Sequence, residues 1–131
     1  MNFPERAAQL RAEGGVFRAA APIFIARAPG RLDLMGGNVD YTGGMVFETT
    51  IREATWAAVQ LRDDDLIVLV NPQMRDQGWE DRATFPVAAL TSEVAVRQLV
   101  SEPRIRWTAY VLGIFYWLHR QEAIQIGRAH V

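Results

Sequence analysis

Hydrophobic positions along the chain follow two periods, and the switches between them predict its elements. Residues 3–13 are strong helix formers, with Pro4 at a first helical position, Glu5 in the first turn and Gly14-Gly15 as a stop. This predicts a helix that turns Phe3, Ala7 and Leu10, followed by Val16 and Phe17, toward the body. Residues 22–28 are rich in β formers and bounded by a proline at each end, which predicts a first strand. Residues 31–35, apolar at Leu32, Leu34 and Met35, predict a short, partly buried strand paired with it across a bend at Pro29-Gly30. From 45 to 62 the chain alternates through Thr50, Arg52, Ala54, Trp56, Ala58 and Gln60. That predicts a long strand with one wet and one dry face, although its alanines leave a helix open. Leu66–Asn71 is a continuous apolar strand ended by Pro72, 73–82 is a polar loop, and Thr84-Phe85 belong to a further strand. Helical spacing returns at 91–100, and again at 105–121, where Trp107, Tyr110, Val111, Ile114, Phe115 and Leu118 recur three and four apart. Strands near the amino end followed by helices define an α+β class.

One stretch fits neither period. Ala28–Gly44 holds five glycines, a proline, an arginine and two aspartates within seventeen residues. The glycine pairs at 36–37 and 43–44 allow positive φ and close backbone approach to a ligand. Between them Asn38, Asp40, Tyr41 and Thr42 can hydrogen-bond a polyhydroxylated molecule. Arg31 entering the turn and Asp40 leaving it point to a small polar ligand, with an anion as the first expectation.

Composition narrows the classes around that stretch. The length of 131 residues fits one small domain, and 50% hydrophobic with 22% charged residues describes a globular chain. A net charge of −1 argues against a nucleic-acid partner. All 14 basic residues are arginine, a side chain suited to forked recognition of anions. Without cysteine there is neither a disulfide nor a thiolate metal site. The amino terminus has no signal-peptide pattern and no apolar run is long enough to span a membrane, so a cytoplasmic location is expected. Asp63-Asp64-Asp65 is expected to be a solvated turn, because consecutive carboxylates cannot all converge on one metal ion, and no metal site is predicted. His119 is expected to be a surface residue or a charge partner near a helix end.

Residues 29–44 resemble the first signature of the GHMP kinases (galactokinase, homoserine kinase, mevalonate kinase and phosphomevalonate kinase). The resemblance is closest to the galactokinase-like sugar kinases, whose pattern runs roughly Pro-Gly-Arg-Val-Asn-Leu-Ile-Gly-Glu-His-x-Asp-Tyr-x-Gly-Gly. Pro29, Gly30, Arg31, Leu34, Gly36, Asp40, Tyr41, Gly43 and Gly44 stand at matching positions. The resemblance implies a ribosomal-protein-S5-domain-2-like fold, the amino-terminal half of a GHMP kinase in truncated form. It also implies ATP and Mg²⁺ as cofactors and phosphorylation of the anomeric C1 hydroxyl of a monosaccharide. By position, Arg31 would stabilise the transferred phosphate near that hydroxyl, and a structural ion pair with Asp33 or Asp40 is the other reading of it. Asp40 would accept hydrogen bonds from sugar hydroxyls, compatible with an Asx turn. Gly37 and Asn38 would line the same pocket, and Tyr41 would stack there or pack. The alternation of 32–34 leaves Asp33 directed either to the pocket or to solvent.

Three departures bear on the substrate. Asp33 stands where the pattern has Asn, Gly37 where it has Glu, and Asn38 where it has His. In galactokinases the Glu lies near the C6 hydroxyl of the sugar, and a glycine removes that partner. L-Arabinose shares the ring configuration of D-galactose without C6, and the Met-Gly-Gly-x-x-Asp-Tyr form of the loop is similar to that of L-arabinokinases. The Gly/Ser-rich nucleotide loop of the family and its downstream aspartate find no counterpart in the chain. Residues 1–125 are therefore expected to be an incomplete sugar-binding domain, inactive alone, whose oligomeric state the sequence leaves open. Residues 126–131 match one reading frame of a common sequencing adaptor and are expected to be a tail of non-native origin. Other readings are a non-catalytic sugar-binding regulatory paralogue, a GHMP kinase for another substrate such as a heptose phosphate, and an interaction domain with a structural glycine loop.

Overall fold

The computed structural model describes residues 2–12 and 15–121, with the side chains of Arg6, Leu10 and Asp40 outside the description. The expected tail at 126–131 and the glycine stop at Gly14 lie outside the described residues as well. Helices and antiparallel strands make up the described chain, an α+β structure. The sequence reading treats 1–125 as one domain; the chain divides into two compact units, Met1–Leu61 and Arg62–Val131.

The first unit opens with helix α1, Phe3–Ala12. Asn2 and Glu5 form a capping box there. The Asn2 Oδ1 accepts from the Glu5 backbone N–H at 3.0 Å, and Glu5 Oε2 accepts from the Asn2 N–H at 3.0 Å. Ala7 of this helix is buried, and Phe3 stacks on Trp56 with ring centroids 5.3 Å apart. Strands β1 (Phe24–Met35) and β2 (Phe47–Val59) then form an antiparallel ribbon. The segment leading into β1 is clipped to the end of β2 by Gln60. Its Oε1 accepts from the Arg18 N–H at 2.8 Å, while its amide donates to the carbonyls of Arg18 and Ala21 at 2.9 and 3.0 Å.

Two expectations change here. Residues 22–28 and 31–35 do not pair with each other; they are halves of one strand, and both pair with β2. Pro29 does not end the strand because the ladder is interrupted beside it: Pro29 faces Ala54, Arg31 faces Thr50, and residues 51–53 bulge out between. A Cβ at Gly30 would sit 2.9 Å from the Ile51 side chain, so the glycine admits the bulge, and Arg27 donates to the freed Arg52 carbonyl at 2.7 Å. Nor is either strand wet on one face and dry on the other. Leu32, Leu34 and Met35 are all exposed, and no residue of β2 is fully buried. A two-stranded ribbon covered by one short helix cannot bury a whole face.

The second unit is built on a core. Strands β3 (Leu66–Val70) and β4 (Arg82–Pro86) pair antiparallel, with Ile67 opposite Phe85. Ala83 and Phe85 alternate inward and meet Leu90, Val96 of helix α2 (Glu93–Leu99) and Leu112 of helix α3 (Ala109–Arg120). Within the polar loop, 3₁₀ turns form at Pro72–Gln77, which ends on Gly78 at φ +72°, and after it at Pro103–Thr108. Ser92 caps α2 by accepting from the Ala95 N–H at 3.1 Å. The aromatic face expected of the last helix is displaced. Leu112 is fully buried with Thr108, and Phe115 and Tyr116 pack on the core, whereas Tyr110, Ile114 and Trp117 are exposed. This helix is apolar nearly all round, so it carries two stripes at helical spacing and periodicity alone does not choose between them. His119 is exposed near its end.

Asp63-Asp64-Asp65 form a bend before β3. Arg62 forks onto Asp64, its Nε donating to Oδ1 at 2.7 Å, and this holds the Asp64 carboxyl below the usual carboxylate range.

Candidate functional site

The loop between β1 and β2 is drawn tight by one carbonyl. Val39 N–H donates to the Gly36 carbonyl at 2.9 Å, closing a first turn. The Val39 carbonyl then accepts from the backbone N–H of Thr42 at 3.1 Å, of Gly44 at 2.9 Å, and from the Thr42 hydroxyl at 2.8 Å. A short 3₁₀ turn, Asp40–Thr42, lies within this knot. The glycines of the two pairs meet two demands, positive φ and room, and Gly36 meets both, since a Cβ there would lie 2.4 Å from the Met45 carbonyl oxygen. Gly36 and Gly43 hold φ of +87° and +82°, where L side chains are strained. Gly37 and Gly44 are needed for space. A Cβ at Gly44 would lie 2.7 Å from Val39 Cγ2, and one at Gly37 would lie 2.7 Å from Asp33 Oδ2 and 3.0 Å from its Cβ and Cγ.

A second irregularity in the ladder opens the site. Asp33 faces Glu48 and Met35 faces Phe47, so Leu34 is an extra residue in β1. Such a bulge turns the strand and re-aims the side chains next to it. Around it and beyond, Asp33, Leu34, Met35, Gly36, Gly37, Asn38 and Val39 line an open concavity of about 360 Å³.

Of the residues predicted for the site, Gly37 and Asn38 line this concavity. Arg31 stands on β1 just before it, with its side chain about half exposed. It pairs with Asp33 (Nε to Oδ1, 2.9 Å) and with Glu48 (Nη1 to Oε1, 3.3 Å). Asp40 begins the 3₁₀ turn, and its side chain lies outside the description. Tyr41 follows it and is 81% exposed, on the loop but not in the lining.

Two residues were missed or left open. Asp33 lines the concavity, which the strand alternation could not decide because the bulge at Leu34 changes direction just beyond it. Glu48 escaped notice altogether. Its signal was a lone carboxylate beginning an otherwise neutral β-rich run, Phe-Glu-Thr-Thr-Ile. Directly opposed carboxylates on neighbouring strands repel, and the Arg31 guanidinium between Asp33 and Glu48 offsets that repulsion.

Among the described residues no three carboxylate or imidazole groups gather as a metal site, and no helix is long and apolar enough to cross a membrane. The arrangement offers hydrogen-bonding groups, a carboxylate, an amide and backbone, in a shallow cup. That is chemistry for holding a small polyhydroxylated molecule.

The galactokinase galactose-binding signature matches residues 15–61 of the chain. The match ends at Leu61, where the first compact unit ends, and it contains the whole β1–β2 ribbon and its loop. It supports a galactokinase-like relationship and is consistent with a small sugar as the ligand. No curated protein and no solved structure shows significant similarity to the chain.

Proposed function

We propose that the chain is the sugar-binding part of a galactokinase-like, ATP-dependent kinase that phosphorylates the anomeric C1 hydroxyl of a monosaccharide, D-galactose or L-arabinose. The observation that carries this reading is the signature over 15–61 falling on a unit whose loop forms a polar cup from Asp33, Gly37 and Asn38. In this reading the unit belongs to the S5-domain-2-like fold of the GHMP kinases and works in the cytoplasm. Asp33 would accept from sugar hydroxyls and Asn38 would accept from or donate to them, Asp40 would join them from the 3₁₀ turn, and Tyr41 would cover the ring. Arg31, already fixed beside the cup, would stabilise negative charge near C1.

ATP and Mg²⁺ enter this reading through the relationship alone. The sequence has no Gly/Ser-rich phosphate loop, so the residues present do not fit the nucleotide. The chain therefore binds sugar without turning it over. The test is calorimetry of the 131-residue chain with D-galactose, L-arabinose and D-glucose, alongside a labelled-phosphate assay with ATP. Binding of galactose or arabinose ahead of glucose, with no phosphate transfer, is the expected result. Absence of binding to all three sugars would overturn the sugar reading, and phosphate transfer would overturn the assignment to a binding part.

A further inference from the structure

The contact between position 37 and Asp33 points to a specificity device, and it rests on the sugar-binding reading above. A Cβ at 37 would lie 2.7 Å from Asp33 Oδ2 and 3.0 Å from both Cβ and Cγ of that residue. The distal oxygen of a flexible side chain can swing away, but the Asp33 Cβ is fixed by the strand. Asp33 Oδ1 is gripped by Arg31 Nε at 2.9 Å, whereas the Arg31 contact to Oδ2 is 3.5 Å, at the outer limit for a hydrogen bond. Oδ2 thus keeps accepting capacity and lies where a Cβ at 37 would stand, and both residues line the cup.

We propose that Asp33 is the carboxylate that selects the sugar, and that Gly37 is glycine so that this carboxylate can occupy the cup. Side chains at 33 and 37 compete for one space: of these two positions, the acid stands at 33 on the strand and 37 carries none. The occupant of the cup is a neutral sugar that presents a hydroxyl donor to Asp33. The lining contains no cation, and Arg31 is paired to two carboxylates at its edge, so a sugar phosphate or a uronic acid meets net negative charge.

The test uses calorimetry of the 131-residue chain with D-galactose, L-arabinose, D-galactose 6-phosphate and D-galacturonate, for the wild type, D33N, G37A and the double variant. Circular dichroism checks that each variant keeps its fold. D33N is nearly isosteric and leaves Arg31 its Glu48 partner. The wild type is expected to take the neutral sugars and reject the anions. Loss of a charged acceptor weakens neutral-sugar binding about tenfold or more in D33N, and G37A loses a similar factor by displacing the carboxylate. Because both act through one group, the double variant loses no more than the worse single one. D33N also moves the neutral-to-anion preference toward the anions, which a purely structural role would not do. Unchanged sugar affinity in folded D33N or G37A, additive losses in the double variant, or wild-type preference for the anionic sugars would each overturn this proposal while leaving sugar binding intact. A wild type that binds none of the four overturns the sugar reading itself.

Discussion

In Arg62–Val131 the side chains of Ile67, Phe85, Leu90, Val96 and Leu112 leave water together, whereas in Met1–Leu61 Ala7 alone among the described residues is buried. The second unit owes its stability to apolar area, at roughly 25 cal/mol per Å² buried. The first relies on a strand ladder and on side-chain clamps: Gln60 on Arg18 and Ala21, Arg11 on the Ala21 carbonyl, Arg27 on Arg52. Each such hydrogen bond contributes about 0.5–1.5 kcal/mol net. The candidate site sits on the unit with the smaller core. Binding loops are commonly drawn from the less stable parts of a protein, because close approach to a ligand requires glycines and unpaired capacity that packing would fill.

If this contrast is right, a cavity in the second unit does the greatest damage. Leu112→Ala removes a side chain with no exposed surface from the centre of the core, and a loss of about 2–5 kcal/mol is expected by chemical denaturation. A loss below about 1 kcal/mol would mean that the core is not where the stability lies. Gly36→Ala probes the first unit. Its φ is +87° and a Cβ would meet the Met45 carbonyl oxygen at 2.4 Å, a backbone atom that cannot swing aside. A cost of about 1–3 kcal/mol is expected, together with loss of the cup and of sugar binding. Retained sugar affinity in this variant would show that the turn is not the site. The smallest effect is electrostatic. The hydrogen bond from Arg62 is the main cause of the lowered Asp64 pKa. A carboxyl held lower in the folded state adds stability that is fully present above its ordinary value of 3.8 and fades as pH falls through the lowered one. Asp64→Asn should therefore lower stability slightly at neutral pH and converge with the wild type at strongly acid pH, which flattens the acid limb of a stability-against-pH curve. Because the pair is exposed, added salt should shrink the difference.

Much of the architecture could be read from residue spacing. The helix at the amino end, the strand after Asp65, the strand at Thr84-Phe85 and the two later helices follow from period and capping chemistry. What spacing could not show were the events that interrupt a period. A three-residue bulge opposite Gly30 carried β1 through a proline that reads as a stop, and an extra residue at Leu34 re-aimed Asp33. The last helix, apolar on two stripes, hid its true inner face at Leu112. In the loop, glycine identity was legible as a demand for room, but the neighbours that make the demand, Met45, Asp33 and Val39, were not. Arg31 was singled out for its charge, while the neighbour across the ladder that shares that charge, Glu48, becomes visible only once the register is known.

The most direct test of the account is a ¹⁵N–¹H NMR titration of the 131-residue chain with D-galactose and with L-arabinose. Saturable shifts concentrated in the amides of residues 31–41, with those of 62–121 unmoved, are predicted for at least one of the two sugars. Shifts centred in 62–121, or none for either sugar, would contradict the placement of the sugar site on the β1–β2 loop.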